Sequence, residues 1–140
     1  MGVFKFKEVL LEELDAVLPE AEYAFLAPKN NPDSTTSQLL GIRSNQKGFY
    51  AFATYNNEDI CSFIIIWPYK EEETIAIGPM FVREQYRGKG IGKYQVEELI
   101  KWSKGNNIKG IFTKTWESNN TSRAIFESTG FSKIGEKPGG

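Results

Sequence analysis

The chain has 140 residues, of which 40% are hydrophobic and 14% aromatic, a composition that predicts one domain over residues 1–140 with a substantial core and argues against disorder. Its net charge is −1, so neither nucleic acid nor a membrane surface is an expected partner. It has no histidine and a single cysteine, Cys61, which removes the commonest general base, His-assisted nucleophiles, most catalytic zinc sites and any intrachain disulfide. No metal is expected.

In chain order, Met1-Gly2-Val3-Phe4-Lys5 runs straight into charged residues without the apolar core of a secretory leader, and a cytoplasmic location is expected. Phe4-Lys5-Phe6 reads as a short first strand. Glu8 to Val17 places Val9, Leu10, Leu14 and Val17 on one face, which predicts a helix ended by Pro19. Pro28 to Ser37 is rich in turn formers and reads as loop, with a second short helix at Thr36 to Arg43. Phe49 to Tyr55, a hairpin turn at Asn56-Asn57-Glu58-Asp59, and Ile60 to Trp67 form two antiparallel strands. The second is the longest apolar run and is far too short to span a bilayer. After a turn at Lys70 to Glu73 comes a third strand, Thr74 to Val82, which Gly78-Pro79 breaches. Proline cannot donate to a ladder, so an edge, a bulge or a splayed pair is predicted there. Ile91 to Lys104 is a helix with Val96, Leu99 and Ile100 on its buried side, stopped by Gly105-Asn106-Asn107. Ile108 to Trp116 follows as a strand, and strand-helix-strand in that order gives a right-handed crossover between parallel strands. Asn119 to Thr129 is a last helix ended by Gly130, and Phe131 to Ile134 a last strand.

Gln85-Tyr86-Arg87-Gly88-Lys89-Gly90-Ile91-Gly92 lies between the third strand and the long helix. Three glycines at alternate positions clear side chains from the approach to the backbone. Unpaired amides and the positive end of a helix dipole then favour an anion. Arg87, Lys89 and Lys93 surround the same turn, so Arg87, Gly88, Lys89, Gly90, Ile91, Gly92 and Lys93 make a candidate diphosphate cradle. The third glycine comes one residue too early for a dinucleotide fingerprint, and the run lacks the Gly-Lys-Ser/Thr ending of a P-loop.

What the run does match is Q/R-x-x-G-x-G/A, and it resembles the GNAT family of acyl-CoA-dependent N-acetyltransferases. A second match is Asn119 to Phe131, which resembles the run of asparagine, small residue, aromatic-Glu and Gly-Phe on the family's last helix. The resemblance implies an α/β (α+β) fold: a mixed, mostly antiparallel central sheet with a splayed parallel pair, flanked by helices. It implies acetyl-CoA as cosubstrate, its pantetheine arm against the strand near Phe81 and Val82, its diphosphate on the amides of Arg87 to Lys93, and Asn119 beside the arm. It implies direct transfer of the acetyl group to a primary amine, of a small molecule or a peptide, with a Phe81 or Val82 amide stabilising the oxyanion.

Where many members carry a tyrosine that protonates the departing sulfur, this chain has Phe126. Ser122, four residues earlier on the same helix face, can supply a hydroxyl instead or can serve only to begin the helix. Glu117 is a candidate base, Tyr55 and Tyr69 weaker ones. The absent hydroxyl also keeps a rival reading open, a non-catalytic acyl-CoA-binding sensor or regulatory module. The resemblance leaves a homodimer open and does not specify the acceptor.

Overall fold

The computed structural model of the chain describes residues 4–21, 50–69, 73–113 and 120–131. The expected loop at 28–37, the helix at 36–43 and the strand residues beyond Phe131 lie outside the described residues. Within them the strands are β1 (Phe4–Val9), β2 (Tyr50–Asn56), β3 (Asp59–Pro68), β4 (Thr74–Val82) and β5 (Gly110–Phe112), ordered β1-β2-β3-β4-β5 in one sheet. The first three pairings are antiparallel and β4–β5 is parallel. The helix α1 (Ile91–Gly105) makes the crossover, and α2 (Asn120–Ser128) follows β5. This is the mixed, mostly antiparallel sheet with one parallel pair that the resemblance implied.

Strand alternation divides the core between the two sheet faces. On one face Ala51, Ala53, Phe63, Ile65 and Phe81 pack with Leu11, Leu14, Val17 and Leu18 from the N-terminal segment. On the other Phe52, Ile64, Ile66, Ile75 and Ile77 pack against Val96 and Leu99 of α1 and Phe126 of α2.

The N-terminal segment differs from the expected helix at Glu8 to Val17. Glu8 and Val9 extend β1, paired with Phe52 and Ala51 of β2. A 3-10 turn over Leu11–Leu14 follows, in which the Glu13 carboxylate accepts from the Leu10 N–H at 2.7 Å. Residues 18–21 are then helical, so Pro19 sits in a first turn instead of ending a helix. Proline is tolerated there because the N–H it lacks would have no intrahelical partner.

Both long helices stop by the same device. At the end of α1, Asn107 takes φ 60°, and the Ile108 N–H returns to the Ser103 carbonyl at 2.9 Å. At the end of α2, Gly130 takes φ 103°, the Phe131 N–H reaches the Phe126 carbonyl at 3.0 Å, and the Phe126 and Phe131 rings meet at 5.1 Å. These are Schellman caps, one on Asn and one on Gly. Ile108 is thereby part of a cap, and of the strand expected from Ile108 to Trp116 the described residues pair over Gly110–Phe112.

Candidate active site

Two irregularities of β4 open the sheet. Toward β3, Ile64 pairs with Met80 but Ile66 pairs with Ile77, so Gly78 and Pro79 together oppose Ile65. This is a bulge, one of the three irregularities expected at Gly78-Pro79. A Cβ at Gly78 would lie 2.7 Å from the Trp67 ring and 3.3 Å from the Ile65 carbonyl oxygen, so only glycine passes there. Toward β5, pairing among the described residues runs from Thr74↔Gly110 to Ala76↔Phe112, while β4 continues to Val82. Among the described residues, the far end of β4 therefore has an edge that no strand covers.

Which groups occupy that edge follows from the ladder. The Arg83 N–H donates to the Cys61 carbonyl at 2.9 Å, and Phe81 is registered with Phe63, Val82 with Ser62. In an antiparallel pair, residues alternate between exchanging hydrogen bonds with the partner and pointing away from it. The backbone groups of Phe81 therefore face β3, and those of Met80 and Val82 face the gap. Of the two residues expected at the arm and the oxyanion, Phe81 thus turns its backbone groups to β3, whereas Val82, together with Met80, turns them to the gap.

The connection into α1 is tied down at several points. Arg83 donates from Nη1 to the Ile60 carbonyl at 3.1 Å and pairs through Nε with Glu20 at 3.2 Å. The Tyr86 hydroxyl donates to Asp59 Oδ2 at 2.8 Å, which raises the Tyr86 pKa, since the bond favours the protonated phenol. Arg87 Nε donates to the Val82 carbonyl at 3.0 Å, with the guanidinium 5.7 Å from the centroid of the Phe81 ring.

The cradle itself is built on two left-handed glycines. Gly88 and Gly90 both take φ 78°, and a Cβ at either would meet nothing within 4 Å. The glycines are needed for their conformation, and the space above them is open. Gly90 is the N-cap of α1, whose first helical bond runs from the Tyr94 N–H to the Gly90 carbonyl at 3.0 Å. The Ile91, Gly92 and Lys93 amides therefore have no helical acceptor. Among the described residues, neither Lys89 nor Lys93 forms an ion pair. Both are exposed at the mouth of the turn.

Gly92 brings the parts together. A Cβ on it would lie 2.9 Å from Ile125 Cδ1 of α2 and 3.7 Å from Val82 Cγ2 of β4. The open strand end, the start of α1 and α2 thus converge on one point. Phe126 is buried in the apolar cluster beneath, its phenyl against Phe131. Glu117 and Asn119 lie outside the described residues, as does the side chain of Ser122.

Sequence reasoning missed one internal support. Ser62 Oγ on β3 donates to Gln95 Oε1 on α1 at 2.8 Å, with both residues fully buried. The signal was present: Ser62 interrupts the apolar run of β3, and Gln95 stands at i+4 between Ile91 and Leu99 on the buried helix face. Tyr94 adds a bond from its hydroxyl to the Phe4 carbonyl at 3.1 Å. Together these fix the first turns of α1, and so the cradle, over the sheet. Two other groups are accounted for by burial. It pushes the Cys61 thiol and the Tyr55 phenol above their ordinary pKa values, as expected of packed groups and not of an activated nucleophile or base. A shallow depression between the β2–β3 turn and Tyr86 is lined by Asn56, Asn57, Glu58 and Asp59, and its carboxylates do not suit a phosphate.

Residues 11–131 match the model of the acetyltransferase (GNAT) family. No curated protein matches the chain. Among solved structures, a GNAT-family acetyltransferase from Staphylococcus aureus Mu50 is 21% identical with a TM-score of 0.77, over 95% of this chain and 87% of that one. A putative acetyltransferase, YycN, from Bacillus subtilis is 19% identical with a TM-score of 0.73, over 96% of each. The aminoglycoside acetyltransferase meta-AAC0020 from an uncultured soil metagenomic sample, in complex with sisomicin, is 15% identical with a TM-score of 0.71, over 96% and 91%.

Proposed function

The chain belongs to the GNAT acetyltransferase family, and from that premise we propose that it is an acetyl-CoA-dependent N-acetyltransferase acting on a primary amine of a small molecule or a peptide. The observation that carries the reading is the adjacency at Gly92: an edge of β4 that no described strand covers, beside a helix N-terminus whose first amides lack a helical acceptor, two left-handed glycines and free space above them. That shape and polarity suit an extended amide-bearing arm ending in a diphosphate.

In this reading the amides from Gly88 to Lys93 hold the diphosphate, with Arg87, Lys89 and Lys93 supplying positive charge. The arm lies along the groups of Met80 and Val82 that face the gap. Acetyl-CoA supplies a thioester, whose acetyl carbon an unprotonated amine attacks as the thiolate leaves. An amide N–H of Met80 or Val82 stabilises the negative charge that develops on the carbonyl oxygen. Holding amine and thioester at attack distance supplies much of the remaining rate. An alkyl amine has a reference pKa of about 10.4, so a base must take its proton near neutral pH; Glu117, or water, is our candidate. Ser122 is our candidate partner for the departing sulfur, since Phe126 has no proton to give. Asn119 is our candidate for a contact with the arm.

No described helix is long and apolar enough to cross a membrane. With one cysteine, buried and unpaired, we place the protein in the cytoplasm and read residues 1–140 as one acetyltransferase domain.

The buried phenyl of Phe126 favours a second reading, an acyl-CoA-binding module without turnover. One experiment separates the two. The protein is incubated with acetyl-CoA and a panel of amines, and free thiol is followed while CoA binding is measured by calorimetry. Acceptor-dependent thiol release is expected. Tight CoA binding with no release from any amine would favour the module, and no binding at all would reject both.

A further inference from the structure

We propose that Arg87 determines which thioester carriers the site accepts, by covering the Val82 carbonyl until a diphosphate draws it away. The inference rests on the reading of this site as a CoA site and assigns it a preference for diphosphate-bearing carriers over those with the pantetheine arm alone.

The Val82 carbonyl faces the gap, because Phe81 and Arg83 are the neighbours that bond β3. It is an acceptor on the edge of β4 that no described strand covers, and Arg87 Nε occupies it at 3.0 Å. The same guanidinium stacks over Phe81, immediately before Val82, and its own residue directly precedes Gly88, where the cradle begins. One cation therefore stands between two subsites, the strand edge and the anion turn. It is held by a neutral carbonyl at a solvent-exposed position.

A charged acceptor changes that balance. A phosphate adds a negative charge and a bidentate geometry to the hydrogen bonds of a guanidinium, and a neutral carbonyl offers neither. A diphosphate on the Gly88–Lys93 amides offers Arg87 a better partner a short side-chain swing away. The Val82 carbonyl is then released to accept from an amide of the arm. A carrier without the diphosphate must displace the guanidinium unaided and leave it without a partner. Lys89 is engaged elsewhere: its ammonium lies 5.7 Å from the centroid of the Tyr86 ring.

The arrangement predicts coupling between the two subsites, and by linkage the coupling is reciprocal. Pantetheine at up to about 10 mM is titrated into the intact protein by NMR, with and without inorganic pyrophosphate. In the natural chain pyrophosphate is expected to tighten pantetheine binding about three- to tenfold, the range of one exchanged charge-assisted bond near a surface. In Arg87→Met, pantetheine alone is expected to bind about threefold or more tighter than in the natural chain, the pyrophosphate effect to vanish, and CoA to bind about tenfold more weakly. Arg87→Lys keeps the charge without the planar Nε–H donor, and it is expected to lose the coupling while retaining most CoA affinity. Pantetheine binding that is indifferent to pyrophosphate in the natural chain, or that weakens in Arg87→Met, overturns the proposal, as does no pantetheine binding under either condition. Those failures leave CoA binding by the natural chain intact. A natural chain that gives no heat with CoA removes the underlying reading of the site as well.

Discussion

Replacing Gly90 by Asn and by Asp separates the cradle's fold from its charge. Gly90 caps α1 at φ 78°, ψ 13°, and no atom lies within 4 Å of a Cβ placed there. Asn and Asp are the two non-glycine residues that visit this conformation most readily, and both are good N-caps. They have the same shape, so both variants are expected to fold. The Asp variant should be at least as stable as the Asn variant, because a carboxylate at a helix N-terminus is favourable by about 0.3–1 kcal/mol. Binding runs the other way. A carboxylate about 5 Å from a phosphate repels it by about 3 kcal/mol per unit charge at an effective dielectric of about 20, and salt reduces this at an exposed turn. Keeping about 2.7 kcal/mol after screening gives a loss of about 100-fold in affinity. Thermal unfolding with CoA reads the difference directly. At 100 times its dissociation constant, CoA stabilises the natural chain by about 2.7 kcal/mol, or about 5–10 °C. At the same concentration the Asp variant gains about 0.4 kcal/mol, about 1 °C, while the Asn variant keeps most of the shift. An Asp variant that matches Asn in CoA-dependent shift would refute the diphosphate cradle.

Gly78→Ala forces a methyl to 2.7 Å from the Trp67 ring. The variant should lose about 1–3 kcal/mol in denaturant unfolding and shift the tryptophan emission; unchanged stability would mean that the bulge relaxes freely. Alkaline pH should destabilise the protein. The Cys61, Tyr55 and Tyr94 pKa values are raised on folding, first by burial in each case, from ordinary values of 9.0 and 10.0. Their stability contribution is therefore complete below about pH 9 and is lost as pH climbs through the raised values. The melting temperature should be flat from pH 7 to 8.5 and fall above about pH 9.5, and a fall beginning near neutral pH would contradict the assignment. Phe126→Tyr puts a hydroxyl into an apolar cluster and is expected to cost about 1–3 kcal/mol of stability. It should also raise kcat for acetyl transfer about tenfold or more by giving the sulfur a proton donor; lost stability with unchanged kcat would show that the hydroxyl does not reach the sulfur.

The parts of the fold that were legible in sequence are those imposed by covalent geometry on a short stretch. Thr74 to Val82 has its observed bounds, and the glycine run falls where a left-handed N-cap is required. The stop of α1 at Gly105-Asn106-Asn107 is set by Asn107 in the left-handed region. Where a distant partner decides, local reading failed. Val9 and Leu10 fit a helical face by spacing, yet Val9 belongs to β1 because Ala51 of β2, far along the chain, supplies its ladder. The buried Ser62–Gln95 pair depends likewise on which strand face α1 covers.

The choice of amide at the site shows how these two kinds of information combine. The Lys109 N–H donates to the Glu73 carbonyl at 2.7 Å, so Glu73 and, by alternation, Ile75 and Ile77 face β5. An uninterrupted strand would continue that series to Pro79, which has no N–H, and to Phe81. The bulge inserts one residue, and the series resumes at Met80 and Val82. It also moves the Phe81 side chain to the opposite core face from Ile75 and Ile77. Gly78-Pro79 thus does more than spread the sheet. It decides that the edge offers two complete backbone units, Met80 and Val82, where an unbroken strand would offer a proline. Recognition of the Gly-Pro breach in the sequence was enough to foresee an opening. The parity of the strand beyond it, and with it the contacts available to a ligand, required the register with β3.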